Sequence, residues 1–325
     1  MVTDQICGAE ALGRTRCLVS LSTCVIYNPA AGRGKALREL EDARKRFGGD
    51  IELRPTSAAG HAVELARQAA QEGFSRVVAA GGDGTVHEVA NGLLTSGRDD
   101  VLLSTWPVGS SCDYAYSLGM LRWWRERSTD IPLDTMRVDV GLVRAGGRER
   151  YCVNSFGVGF NGMVTVEAHK IRWLRGLPLY ALAFLRAMVE HFQTPPMTVR
   201  FDDAEGESPT LAVSVNLAQR EGGFPITSAA RLDDGRFDYL HAAAMRRWEL
   251  LRYLPAMIAG NLPTNHPQLR TGRCTRAAVR AGVPLCVHAD GEFVCRPEDG
   301  IREVEIELLP GRLLVEVCRP FLYGA

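Results

Sequence analysis

The chain has 325 residues, 38 basic and 38 acidic side chains, zero formal net charge and a hydrophobic fraction of 46%. That balance excludes capture of nucleic acid by bulk electrostatics, and the length predicts two domains. The nine cysteines are scattered, with no C-x-x-C pair and no zinc spacing. They read as small buried thiols of a cytoplasmic protein.

Residues 1–19 read as a loose extension. Cys17 to Tyr27 is apolar but broken by Ser20, Ser22 and Thr23, and it runs into Asn28-Pro29. It reads as a first strand, Leu18–Tyr27, and not as a signal peptide. No stretch approaches the roughly 18 continuous apolar residues of a membrane span. Helical spacing follows over Lys35–Phe47, then a short strand at Ile51–Leu53 and a helix at His61–Glu72. Arg76–Ala80 predicts a strand, Val86–Leu94 a helix and Leu102–Trp106 a strand. This alternation implies a parallel sheet covered by helices, with ligands outside the carboxyl ends of its strands.

After Pro132 the pattern changes to short β-type runs. They are Val138–Arg144, Tyr151–Phe156, Met197–Phe201, Thr210–Leu217, Phe237–Ala242, Ala277–Ala281, Leu285–His288, Glu303–Leu309 and Leu313–Val317. Turn residues such as Asp233-Asp234-Gly235 and Pro310-Gly311 separate them, which predicts an antiparallel sandwich or barrel. Helical stretches at about Gly162–Phe192 and Arg246–Gly260 interrupt it. The first domain is expected over residues 20–137, with 310–325 returning to complete it, and the second over 138–309.

Three expected strand ends carry glycine-rich turns: Asn28-Pro29-Ala30-Ala31-Gly32-Arg33-Gly34, Gly81-Gly82-Asp83-Gly84-Thr85, and Pro107-Val108-Gly109-Ser110-Ser111-Cys112-Asp113. Glycine lets backbone take left-handed angles and approach a polyphosphate closely. Thr85 and Glu88 have capping-box spacing for the helix that follows, and a helix N-terminus favours phosphate. A carboxylate beside phosphate is repulsive without an intervening metal or hydroxyl, so Asp83 points to Mg²⁺-dependent phosphoryl transfer. The alternative is a tight turn with Asp83 merely solvated. Gly32-x-Gly34 also matches part of a dinucleotide fingerprint, but Leu37 stands at the third glycine position. A Walker A loop is absent, because Ala36 follows Gly34-Lys35.

The ordered set Asn28-Pro29-x-x-Gly32-x-Gly34, Gly81-Gly82-Asp83-Gly84-Thr85-x-x-Glu88-x-x-Asn91-Gly92 and Pro107-x-Gly109-Ser110-x-x-Asp113 resembles the diacylglycerol kinase catalytic-domain family. Asn154 with Gly157-x-Gly159-Phe160-Asn161, then Asp233-Asp234-Gly235, then Asp290-Gly291-Glu292 extend the resemblance over about residues 20 to 320. It implies a two-domain fold like that of NAD kinases and diacylglycerol kinases: a parallel α/β nucleotide domain plus a mostly antiparallel β-sandwich domain for a lipid. It also implies an ATP- and Mg²⁺-dependent lipid kinase acting on diacylglycerol or a related lipid. A sphingoid-base or ceramide kinase is the alternative, and an NAD kinase-like small-molecule kinase, an oxidoreductase and a non-catalytic sensor are further ones.

By position, the resemblance assigns the nucleotide to Asn28, Gly32, Arg33, Thr56, Gly81, Gly82, Asp83, Gly84, Thr85, Glu88 and Ser110. Asp83, Asp113 and Asp139 match an acidic network near metal and phosphates. Asp234, with backbone carbonyls of Arg231 and Arg236, matches a structural Mg²⁺ loop; an ordinary acidic β-turn is the other reading. Glu292 matches the general base, Asp290 its support, and Asp83 is the competing base. Cys112 stands where the family usually has asparagine. A peripheral membrane surface is expected as partner, through the basic and aromatic stretch Lys170–Tyr180 or Arg122-Trp123-Trp124-Arg125, against helices merely packed on the sheet. Nucleic acid is not expected, and a homodimer is compatible with this reading.

Overall fold

The computed structural model describes residues 22–29, 51–109, 111–126, 130–171, 173–263 and 266–324. The strands β1 (Thr23–Tyr27), β2 (Ile51–Pro55), β3 (Arg76–Gly81) and β4 (Leu102–Pro107) pair in parallel in the order β2-β1-β3-β4. β3 is buried along nearly its whole length, as a central parallel strand covered on both faces requires. The helices α1 (His61–Gln71) and α2 (Asp83–Leu94) cross over between strands. They meet at Gly92, where an added Cβ would lie 2.3 Å from the carbonyl oxygen of Val63. The short helices α3 (Asp113–Ser117) and α4 (Met120–Arg125) follow β4.

The second half is β5 (Asp134–Ala145), β6 (Arg148–Cys152), β7 (Ser155–Gly159), α5 (Phe160–Lys170), α6 (Gly176–Glu190), β8 (Pro196–Phe201), β9 (Ala204–Asn216), β10 (Phe237–Ala243), α7 (Arg247–Ala259), β11 (Leu269–Cys274), β12 (Arg276–Ala281), β13 (Val287–Ala289), β14 (Glu292–Cys295) and β15 (Glu303–Val317). Its strand pairings are antiparallel. One half of β9 pairs with β8, while the other pairs with β7 and β10, so this strand links two layers. Val199, Val279 and Ile306 share one core with Phe156, Val213 and Val287 across those layers. Each such fully buried aliphatic or aromatic side chain contributes roughly 1.5–3 kcal/mol.

β15 is one strand and not two, because Pro310-Gly311 makes an irregularity inside its ladder with β5. Its C-terminal part pairs in parallel with β4 through Val315 and Leu103. The expected long helix Gly162–Phe192 is two helices, interrupted before Gly176, whose φ is +61°. The seven described cysteines are all buried and unpaired.

Candidate active site

The loops after all four parallel strands converge on one open cleft of about 700 Å³. Asn28 and Pro29, Thr56, Gly82 to Thr85 and Gly109 line it from the first half. The strand order turns back at β1, so the loops after β1 and β3 diverge there and leave a crevice, as expected of doubly wound sheets. His169, Arg175, Tyr180 and the turn Asp290-Gly291-Glu292 close it from the second half. Gly32, Arg33 and Ser110 lie outside the described residues.

The glycines that β3 and β4 bring to this cleft answer to space and not to handedness. Gly81, Gly82 and Gly84 all keep φ outside the left-handed region. A Cβ on Gly81 would instead lie 2.2 Å from the Thr85 hydroxyl, and one on Gly109 would lie 2.2 Å from the Cα of Gly82. The second contact presses the loops after β3 and β4 together; the Gly81 carbonyl fastens them by accepting from Val108 N and Gly109 N.

The expected Thr85–Glu88 capping box is not formed. α2 starts three residues earlier than expected, at Asp83, with Gly82 as an extended N-cap and no side-chain cap. Glu88 instead reaches the neighbouring helix, accepting from Gly60 N at 2.8 Å and Ala62 N at 3.0 Å. Its carboxylate caps α1, whose own N-cap residue Gly60 has no side chain to do so.

Asp83 accepts from Tyr114 N at 3.2 Å, at the start of α3. Burial pushes its carboxyl above the usual carboxylate range; backbone N–H groups of Tyr114, Asp113 and Cys112 oppose this, and the charge of Asp290 adds to it. Asp113 is buried, and its Oδ2 accepts from Gly223 N at 2.9 Å. Its Oδ1 has no hydrogen-bond partner among the described residues. Burial first, and then the Asp83 charge, push its carboxyl up to about 7. Cys112 precedes it in a left-handed conformation, φ +54°, a region that asparagine tolerates better than most residues.

Asp290 and Gly291 form the two-residue turn between β13 and β14, with φ of +55° and +84°. Positive φ at both positions is the hairpin geometry that Asp-Gly favours. The buried Asp290 carboxylate accepts from Asn154 N at 2.8 Å, Val153 N at 3.0 Å, Ser155 N at 3.0 Å and Cys152 Sγ, and pairs with His87 Nδ1 at 2.7 Å. Burial works to raise its pKa, but His87 and the backbone donors outweigh that and hold it below the usual range. With both oxygens occupied it positions its neighbours. Glu292 is half-buried in the cleft and has no ion pair among the described residues.

Asp139 and Asp234 line neither this cleft nor the adjoining cavity. The Asp139 carboxylate accepts from Gly235 N at 2.7 Å and Gly311 N at 2.8 Å, tying two turns together. Asp234 pairs with the guanidinium of Arg273 and accepts from Arg236 N. Arg231 lies near Asp233 and over the ring of Tyr323. A divalent ion at Asp234 would have to compete with Arg273, so this loop does not fit a metal as it stands.

Beyond the cleft lies a narrower cavity of about 130 Å³, a feature not read from the sequence. Phe160, Phe184, Leu211, Leu240, Leu250 and Met257 are among its apolar walls. Asp83, Tyr180, Asp290 and Gly291 line both spaces, so the two meet there. Glu221, His288, Asn161 and Ser214 sit on its polar side, and none of them was singled out for this role from sequence. Trp123 and Trp124 are not a membrane contact. Trp123 is buried, and Trp124 stacks on Trp106 at 5.3 Å while its indole donates to Thr105 O.

Residues 22–143 match the diacylglycerol kinase catalytic domain, and residues 154–317 match the YegS C-terminal NAD kinase beta sandwich-like domain. The chain is 26% identical to a diacylglycerol kinase of Bacillus subtilis, covering 83% of this chain and 89% of that protein. It is 30% identical to a "probable lipid kinase YegS-like" of Xanthomonas oryzae pv. oryzae, covering 89% and 94%. A diacylglycerol kinase crystal structure from Bacillus anthracis shares the fold, with a TM-score of 0.66 at 20% identity over 93% of this chain and 98% of that one. Both halves therefore lead to one conclusion: the chain belongs to the diacylglycerol kinase catalytic-domain family and is a kinase with an alcohol group as acceptor.

Proposed function

We propose that the chain transfers the γ-phosphoryl group of ATP to a lipid hydroxyl, with diacylglycerol as the first candidate acceptor and a sphingoid base or ceramide as the second. The observation that carries this reading is the meeting of a glycine-walled cleft with an apolar cavity at Asp83, Tyr180, Asp290 and Gly291. A polyphosphate suits the first space and hydrocarbon the second, which brings the acceptor hydroxyl to the junction.

Glu292 takes the proton of that hydroxyl while its oxygen attacks the γ-phosphorus and the bond to the β-phosphate oxygen breaks. Asp290 holds the turn that carries Glu292. Asp83 and Asp113 are hard oxygen donors, and the unpartnered buried Oδ1 of Asp113 fits them to Mg²⁺. When bound, Mg²⁺ would neutralise charge on the transferred phosphoryl group. Arg175 and His169 face the cleft from the second half.

On the outside, Trp173, Leu185, Val189, Trp248, Leu251 and Ile258 are exposed on and around α6 and α7. Arg247 and Arg252 lie among them in sequence. No described helix is long and apolar enough to cross a membrane, so this rim is read as the surface that rests on a bilayer carrying the substrate. Labelled ATP offered with a panel of lipids in mixed micelles tests the reading. Transfer of label to at least one acceptor is expected, and no labelled lipid from any acceptor would sink it.

A further inference from the structure

The stripe of α2 that faces the second half is made of Gly84, His87 and Asn91, spaced three and four residues apart and so on one side of the helix. Gly84 lies against Glu292, as its lack of a Cβ allows. His87 Nδ1 lies 2.7 Å from Asp290 Oδ2, and both side chains are buried. Asn91 pairs with Tyr151 of β6 in both directions. Its Oδ1 accepts from Tyr151 N at 2.9 Å, and its Nδ2 donates to Tyr151 O at 3.0 Å. The helix whose first turn carries Asp83 thus grips the hairpin that carries Glu292.

The orientation of the imidazole follows from its neighbours. The two-way pairing with Tyr151 fixes which end of the Asn91 amide is nitrogen, and that nitrogen stands 3.4 Å from His87 Nε2. A donor there opposes a hydrogen on Nε2, so Nδ1 carries the ring's hydrogen and donates it to Asp290. A second support of the turn comes from its own half. His288 Nδ1 faces the Gly291 N–H at 3.4 Å, and Glu221 holds His288 Nε2 at 3.1 Å. His288 lies in β13 and so travels with the hairpin, whereas His87 belongs to the phosphate-loop helix.

We infer that His87 is a positioning residue for the phosphoryl transfer: through Asp290 it sets Glu292 against the phosphate loop, so that one helix places both the nucleotide and the base. The inference rests on the reading of Glu292 as the base and deepens it. His87 lines neither the cleft nor the cavity, so its effect on turnover runs through the turn. A misplacement of about 1 Å in a reacting group costs on the order of 10²-fold in rate.

The test uses the full chain with ATP and diacylglycerol in mixed micelles, or the best acceptor of the lipid panel where another lipid is preferred. Histidine Nδ1 and asparagine Nδ2 are both bonded to Cγ, so His87→Asn keeps a donor near the same point, while His87→Leu removes it. In His87→Leu, kcat should fall about 10–100-fold with KM for ATP little changed, and His87→Asn should recover it to within about fivefold of the native chain. In a Glu292→Gln background the leucine substitution should lower kcat by less than about threefold, because a residue that acts through the base has nothing left to place. A merely structural role would lower kcat by the same factor in both backgrounds, and that outcome overturns the inference. So does native turnover in His87→Leu, or a folded His87→Asn as slow as the leucine variant. Should His87→Leu not fold, His87→Gln, whose amide hangs one bond farther out, takes its place in the same cycle. Glu292→Gln turning over like the native chain would instead remove the base itself, which keeps the two failures apart.

Discussion

Glu292 stands directly over Gly84: a Cβ added at Gly84 would come within 2.9 Å of Glu292 Oε1. The proposed base is therefore seated against the first turn of the phosphate-loop helix, with no room between them for a larger residue. Glu292→Gln keeps the shape and removes the proton acceptor. A fall in kcat of roughly 10²–10⁴ is expected with thermal unfolding unchanged. Gly84→Ala should lower kcat as well, by pushing the carboxylate aside. Turnover in Glu292→Gln within a few-fold of the native chain would transfer the role to Asp83.

Asp290 supports that base through structure. Its oxygens hold the consecutive N–H groups of Val153, Asn154 and Ser155 and the ring of His87. Asp290→Ala strands several buried donors at once, so a loss of about 3–5 kcal/mol in denaturant unfolding is expected. The acid behaviour follows from the sign of the shift, since the folded pKa lies below the unfolded one. The stabilisation is complete above the unfolded value of about 3.9 and disappears as pH falls through the lower folded value. Asp290→Asn should flatten the loss of stability below pH about 4. Unfolding curves for both proteins from neutral pH into acid check this, and parallel curves would refute it.

The parallel core of the first half was legible because its apolar strands and glycine turns are local signals, and the observed β1, β3 and β4 fall on them. β11, Leu269–Cys274, was not, because its sequence is half polar and it pairs with β10 over residues that need no apolar alternation. At the site, the ordered motifs brought out Asp83, Asp113, Asp290 and Glu292. Glu221 and the partner of Glu88 were invisible for another reason: each acts across the fold, Glu88 on a helix 26 to 28 residues earlier. A spacing of three residues from Thr85 to Glu88 reads as a box whichever helix the carboxylate caps. The two tryptophans of Trp123-Trp124 carry no mark that separates a core stack from a membrane rim.

The misread cap yields its own prediction. If Glu88 caps α1, then Glu88→Ala removes two acceptors for backbone N–H groups at the cleft edge and should cost about 1–2 kcal/mol. Thr85→Val, which leaves those N–H groups capped, should not reproduce that loss through capping. Native-state hydrogen exchange separates the cases, because Glu88→Ala should speed exchange at Gly60 and Ala62 and leave the start of α2 unaffected. Faster exchange confined to α2 would restore the intrahelical box.

The last prediction concerns Asp113 in metal-free protein. Its folded pKa is raised to about 7 by burial and by the charge of Asp83, while an unfolded aspartate titrates near about 3.9. The folded state therefore binds the extra proton between these values. The favourable contribution is fully present below the unfolded pKa and is lost as pH rises through about 7. In EDTA, the native chain should lose stability between pH about 4 and 8, by a few kcal/mol at most. Asp113→Asn cannot ionise and should lack this slope, so it should gain on the native chain at the alkaline end. Mg²⁺ should stabilise the native chain more at pH about 8 than at pH about 5, because only the ionised pair has charge to offer it. An equal stability slope in Asp113→Asn would show that another group titrates there. Indifference to Mg²⁺ at both pH values would remove the metal from this carboxylate pair.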